Sequence, residues 1–235
     1  MMPTKIIDLS LVLSPSMPGW PTQASFQYEQ THNVPRDNVT LHVIRRMTLH
    51  TGTHIDTPLH FLSHGQSVEQ FPIDAFVGSG IVLDLSTKQP GESITIADLK
   101  PYHDQIQPRD VVMLYTGWDT RVGFTPEYLF EYPYLVEDTA AYLVSRNIKA
   151  LGVDTLSVGG WDEQVPGHGP TAPTGSNRAT HRCLLAAQII LIETLCNLGH
   201  VLDGAAARRA YFIFAPLKIQ GAEGGPCRAL ALLNS

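Results

Sequence analysis

Between positions 50 and 60 the chain reads His50-Thr-Gly-Thr-His54-Ile-Asp56-Thr-Pro-Leu-His60, three imidazoles and a carboxylate on even-numbered positions. Residues two apart in an extended segment point to the same face, so this spacing aims four polar groups one way. Imidazole and carboxylate are preferred ligands of a divalent ion of the zinc or manganese type. A straight strand cannot close the set. Fully extended, His50 and His54 stand about 13 Å apart at ~3.3 Å per residue. Two ligands each about 2.1 Å from one ion are little more than ~4 Å apart. The chain must bend; Gly52 is the residue that permits it, and Pro58 marks a second turn before His60. A merely polar, hydrogen-bonded strand face would not explain why imidazoles, rather than Ser or Thr, fill these places. Three protein ligands leave a coordination position open, the condition under which a metal activates water.

The elements that must position these groups are short. β-rich runs recur at residues 6–13, 39–49, 80–85, 111–115, 150–153, 189–195 and 210–214, and several are continuously apolar, as in strands covered on both faces. Helices are predicted at 126–131, 136–146 and 177–187. The second carries Glu137 and Asp138 in its first turn and Arg146 in its last, as the helix dipole favours. Strands and helices interspersed in this way predict an α/β fold, a mixed central sheet with packed helices, as a single domain over 1–235. Residues 159–176 are dense in Gly and Pro and read as a long functional loop.

Composition narrows the partners. The chain has 235 residues, 43% hydrophobic and 16% charged, enough for a substantial core and little charged surface to spare. A net charge of −6 without a Lys/Arg run argues against nucleic acid. The longest apolar run, near 184–192, is interrupted by Gln188 and is too short for a membrane span. Cys183, Cys196 and Cys227 are odd in number and form no C-x-x-C pair, which predicts a reduced, cytoplasmic setting.

Other polar residues stand where they need partners. Glu193 lies inside the apolar run Ile189-Ile-Leu-Ile-Glu-Thr-Leu195. A buried carboxylate without a partner costs several kcal/mol, so it must meet a cation: Arg178 or Lys218, or a metal shared with His181. Asp84 and Asp154 each end an apolar run and are expected to cap the turn that follows. Trp20, in a Pro-rich loop, is either a hydrophobic plug or a flat surface for an aromatic substrate.

The run His-Thr-Gly-Thr-His-Ile-Asp-Thr-Pro-Leu-His-Phe resembles the defining motif of the metal-dependent cyclase family, which includes kynurenine formamidases and isatin hydrolases. Weaker matches follow in the family's order: Ile7-Asp-Leu-Ser10, Pro18-Gly-Trp-Pro21, Gly152-Val-Asp-Thr-Leu-Ser157, His181 through Glu193 to Leu198, Ala215-Pro-Leu-Lys218 and Gly224-Gly-Pro-Cys-Arg-Ala229. One departure is Thr53, where the formamidases usually carry Ala. The resemblance implies a swivelling β/β/α fold and a centre of one or two ions, zinc or manganese, in a homodimer or homotetramer. By that match His50, His54 and Asp56 bind the first ion, with Asp56 able to bridge to a second. His181 and Glu193 match further ligands, His60 the general acid/base, and Trp20 an aromatic that contacts substrate. The implied activity is hydrolysis of an aryl formamide or cyclic amide, such as N-formylkynurenine or isatin. A lactone or thioester hydrolase, a cyclase or lyase, and a non-catalytic metal-binding module remain open.

Overall fold

The apolar runs at 111–115 and 150–153 form strands over those same residues, at the centre of a nine-stranded mixed sheet. The computed structural model describes residues 5–233. In chain order the principal strands are β1 (Lys5–Asp8), β2 (Gln27–His32), β3 (Leu41–Arg46), β4 (His54–Asp56), β5 (Val77–Asp84), β6 (Val111–Tyr115), β7 (Ala150–Val153), β8 (Ile190–Glu193), β9 (Ala207–Ile213), β10 (Gly224–Pro226) and β11 (Leu230–Leu233). The longer helices are α1 (Glu137–Ser145) and α2 (Ser176–Ala186). The sheet order is β1-β11-β9-β5-β6-β7-β8-β4-β10. Its middle, β5 through β8, is parallel, and its flanks are antiparallel.

Alternation on the central strands explains their apolar composition. Val111 and Met113 pack on one face with Ile192, Leu198, Val201 and Phe212, while Val112 and Leu114 pack on the other with Leu143, Leu184 and Leu185 of α1 and α2. Both faces are covered, so nothing polar is tolerated along these strands until their ends. The sheet also curls. Ser10, just past β1, forms a bridge with Leu195, just past β8, and the Cys196 amide donates to Leu9 O at 2.9 Å.

The curl places β4 between β8 and β10, with His54 opposite Glu193 and Asp56 opposite both Leu191 and Gly224. Ile55, between the two polar residues, is fully buried in the core. The predicted strands at 6–13 and 39–49 are shorter than expected, and the second belongs elsewhere. β3 pairs only with β2 in a hairpin separate from the large sheet, with Tyr28, Leu41 and Ile44 exposed. β2, β4, β10 and β11 were not expected as strands. The long Gly/Pro-rich loop is present, with one isolated bridge between Val165 and His168, and it leads directly into α2.

Candidate metal centre

The sharp bend between His50 and His54 is made at Gly52, whose φ is 64°. A Cβ at that position would stand 2.4 Å from Leu13 Cδ2, so the residue is required both for its conformation and for close approach. After the three residues of β4, Pro58 opens a short 3₁₀ turn, Pro58–His60, that swings His60 back over the strand. The four polar groups do converge, but not as one face of an extended segment. Only His54 and Asp56 share a strand face; His50 arrives from the turn before β4 and His60 from the turn after it. The even spacing fits the result because two turns replace the ends of the expected strand.

His54 Nδ1–H donates to Gly52 O at 2.7 Å. A carbonyl only accepts, so the proton sits on Nδ1 and Nε2 presents a lone pair. That nitrogen lies 3.6 Å from Asp56 Oδ1 and 3.5 Å from Glu193 Oε2. His181, at the middle of α2, repeats the device. Its Nδ1–H donates to Asn177 O at 2.8 Å, and its Nε2 lies 3.2 Å from Glu193 Oε1 and 3.8 Å from Asp56 Oδ2. Glu193 is held in turn by the Val158 amide at 2.7 Å. Its partners are imidazoles and this amide; neither Arg178 nor Lys218 reaches it.

The other half of the site is built on turns. His50 Nδ1 lies 2.8 Å from Asp56 Oδ1, and its Nε2 is 3.4 Å from Glu223 Oε1. The rings of His50 and His60 stack with centroids 4.2 Å apart, and His60 also meets Phe61 edge-on at 4.5 Å. The His60 ring has no hydrogen bond among the described residues. Glu223 escaped the sequence reading because it is a lone acid just before β10 with no spacing signal of its own. Gly224, next to it, lets β10 approach: a Cβ there would lie 3.3 Å from His50 Cε1 and 3.4 Å from Asp56 Oδ1.

Burial and charge act against each other throughout. Burial disfavours ionised Asp56, yet the surrounding imidazoles, His50 foremost, hold its carboxyl far below the usual carboxylate range. Burial and repulsion by Asp56 both raise Glu193, but His181 and His54 outweigh them and bring it down to about 2. His50 is opposed by burial and still pushed up to about 10 by Asp56, with help from Glu223. His60 goes the other way: burial, reinforced by the nearby His50 and His181, lowers it to about 4 despite Asp56.

Donor atoms of His54, Asp56 and Glu193 lie within 4.8 Å of one another, and so do those of His50, Asp56 and His60. Asp56 belongs to both groups. His50 Nε2, His54 Nε2 and both Asp56 oxygens are buried without a hydrogen-bond partner. Orphaned donor atoms of this kind, nitrogen and oxygen facing inward together, fit a divalent cation with an imidazole and carboxylate shell. His60 thus lies within reach of the ligand atoms as well as of the open space above them.

The centre floors a cleft of ≈ 270 Å³ whose walls include Trp20, Phe61, Leu156 and Glu163. Trp20 leans on the buried Trp161, ring centroids 5.1 Å apart, so one face of Trp20 is packed while the residue still lines the cleft. Plug and surface are here the same residue. A hydroxyl clip ties the floor together: Thr53 Oγ1 donates to Thr194 O at 2.6 Å and accepts from the Leu11 amide at 2.9 Å. Thr194 lines the cleft with φ at 59°, a conformation β-branched residues rarely adopt.

The two capping expectations divide. Asp84 accepts from the Ser86 amide at 2.9 Å, in the turn that follows it. Asp154 does not cap its own turn. It accepts from the amides of Thr116 and Trp118, both at 3.0 Å, and from Thr116 Oγ1 at 2.7 Å, so it braces the turn after the neighbouring strand β6.

Comparison with known proteins follows the same lines. The Cyclase family model matches residues 7–159. A kynurenine formamidase from Bacillus mycoides (strain KBAB4) is 30% identical over 224 residues, covering 95% of each chain. Among solved structures, isatin hydrolase A from Labrenzia aggregata, bound to benzyl benzoate, superposes with a TM-score of 0.82 at 27% identity, covering 98% of this chain and 94% of that one. Isatin hydrolase A from Ralstonia solanacearum gives 0.80 at 25% identity, covering 97% and 92%.

Proposed function

The chain belongs to the cyclase family, and from that premise we propose that it is a metal-dependent hydrolase of the C–N bond in an aryl formamide or cyclic aryl amide. The observation that carries this reading is the convergence of His50, His54, Asp56, His181 and Glu193 beneath an aromatic-walled cleft, with donor atoms left unpartnered. These five are the proposed ligands, and a shared Asp56 suits either one ion or two. Zinc and manganese both suit the donor set. A divalent ion held there supplies Lewis-acid polarisation of a carbonyl and makes a water more acidic.

The chain's own residues do the rest. His60, lowered to about 4, is neutral at pH 7 and has no hydrogen bond to give up, so it is free to accept a proton from the attacking water. It returns that proton to the departing nitrogen, which leaves as an amine. Trp20 and Phe61 bracket the aryl ring and exclude water from its faces. The floor imidazoles, each with Nδ1–H committed to a carbonyl, cannot exchange roles with His60.

We also place the enzyme in the cytoplasm, where its three free thiols stay reduced, and read it as an oligomer. A two-stranded hairpin alone is marginally stable in water, and β2–β3 stands apart from the large sheet with apolar residues exposed, so a second copy is its natural cover. No helix among the described residues is long and apolar enough to cross a membrane.

The test is purification with metal analysis, then turnover of N-formylkynurenine, isatin, and a lactone and thioester panel in ¹⁸O-labelled water. Amide or lactam hydrolysis with label in the product carboxylate or formate supports the reading. Turnover without label would identify a lyase or cyclase, and stoichiometric metal with no turnover a binding module.

A further inference from the structure

The cleft does not end above the ligand atoms. Phe61, Glu163 and Asn177 line it, and the same three residues line a second groove of ≈ 480 Å³ that adds Asp162, Thr174 and Arg178. The inner cleft has no Lys or Arg among its described lining residues, so a substrate carboxylate finds no guanidinium or ammonium there. The groove carries two acids and one base; Asp162 is engaged by the Asn177 amide, which leaves Glu163 and Arg178. Glu163 is half-buried at the junction of the two spaces, Arg178 is exposed in the groove, and neither has a hydrogen-bond or ion-pair partner among the described residues.

Their relative position is set by the backbone. Asp162 accepts from the Asn177 amide at 3.0 Å, so Glu163 and Arg178 are each one residue past a bonded pair. On the Glu163 side the loop is further pinned, because Trp161 O accepts from the Thr171 and Ala172 amides, both at 2.9 Å. On the other side Arg178 stands in the first turn of α2. The two charges are therefore held apart across one groove, where they are available to a ligand.

Resting on the hydrolase reading, we propose that this groove is a subsite for a zwitterionic, α-amino-acid tail on the aryl substrate. Glu163 accepts from the ammonium and Arg178 donates to the carboxylate. The ring lies against Trp20 and Phe61, and the reacting amide lies over the ligand atoms. A compact bicyclic lactam fills only the inner cleft and leaves both charges solvated. An open-chain aryl formamide with such a tail uses both spaces.

The experiment pairs substrates on the metal-loaded full chain: N-formylkynurenine, which has the tail, and an ortho-acyl formanilide, which lacks it. Glu163→Gln and Arg178→Gln should each lower the ratio of kcat/KM, tailed over tail-less, by about tenfold, the size of one partly screened charge-assisted hydrogen bond, through KM rather than kcat. Exchanging the charges in Glu163→Arg with Arg178→Glu should recover part of the ratio. A ratio that stays put in both single variants overturns the subsite, as does an equal loss on both substrates. Should neither formamide be hydrolysed, the formamide half of the hydrolase reading fails by itself. The groove is then read by binding of kynurenine against 2-aminoacetophenone to the same protein, where equal affinities, or preferences indifferent to both variants, overturn the proposal.

Discussion

The floor and the rim of the centre are built from the same residue types and held in opposite ways. On the floor, His54 and His181 each spend Nδ1–H on a backbone carbonyl, and Glu193 accepts from a backbone amide. On the rim, among the described residues, His50 touches only carboxylates and the rings of His54 and His60, and the His60 ring meets only other rings. A donor pinned to backbone keeps one tautomer and one direction, which is what a ligand needs. A ring left unbonded can gain and lose a proton, which is what an acid/base catalyst needs. Between His54 and His181 on one side and His60 on the other, the difference in hydrogen bonding, more than in residue identity, separates the proposed ligands from the proposed acid/base; His50, a proposed ligand on the rim, is oriented by carboxylates instead.

The largest expected effect comes from breaking the residue common to both halves. Asp56→Asn should lower bound metal to trace levels and activity by about a thousandfold or more, as should a strong chelator on the parent protein, with metal content read by elemental analysis. Wild-type metal stoichiometry in the variant would dissolve the distinction between floor and rim. His60→Ala should cost at least about a hundredfold in kcat while leaving metal content intact, and an unchanged kcat removes His60 from the chemistry.

The rim should also be visible in pH. With His60 lowered to about 4, kcat/KM should hold through neutral pH and fall on an acid limb below the usual imidazole value near ~6.5. Stability of the metal-free protein carries the same sign. Between about 6.5 and 4 the unfolded chain takes up a proton at His60 that the folded chain refuses, so stability drops as pH falls through that window. His50, raised to about 10, does the reverse: its contribution is complete below about 6.5 and is lost as pH rises towards 10. Urea unfolding across pH should show both flanks, and His60→Gln should flatten the acid one above the range where Glu193 and Asp56 titrate.

The smallest effect sharpens the contrast within the rim. Glu223→Gln removes a group that raises His50, so the alkaline flank should shift to lower pH with a loss of activity of only about tenfold or less. An alkaline flank that does not move would mean Asp56 and Glu193 set His50 without Glu223.

Where local chemistry decides the outcome, the sequence was legible. Continuously apolar runs such as 111–115 and 150–153 can only be strands covered on both sides, and they are. α1 follows its charge pattern, and the His-rich stretch declares its donors through their type. What stayed hidden depends on partners far along the chain. β4 is three residues long and exists because β8 and β10 flank it. Glu223 reaches His50 across 173 positions of sequence because Gly224 lets the strands close. Asp154 braces a turn 36 to 38 residues upstream, which no local pattern announces. The strand expected at 39–49 forms over 41–46, but it pairs in a hairpin apart from the large sheet, with none of its residues buried.

Thr53 ties the N-terminal segment to the floor of the centre, a link that its position does not advertise. Its hydroxyl is the knot between the Leu11 amide and the Thr194 carbonyl, one residue from Glu193, while Leu9 O secures Cys196 two residues further on. Residues 9–11 therefore work as a drawstring on the floor of the centre. A tag, fusion or clipping event that tugs at Leu9–Leu11 will loosen the ion's seat, and the damage will register as lost metal at a place no substrate ever visits.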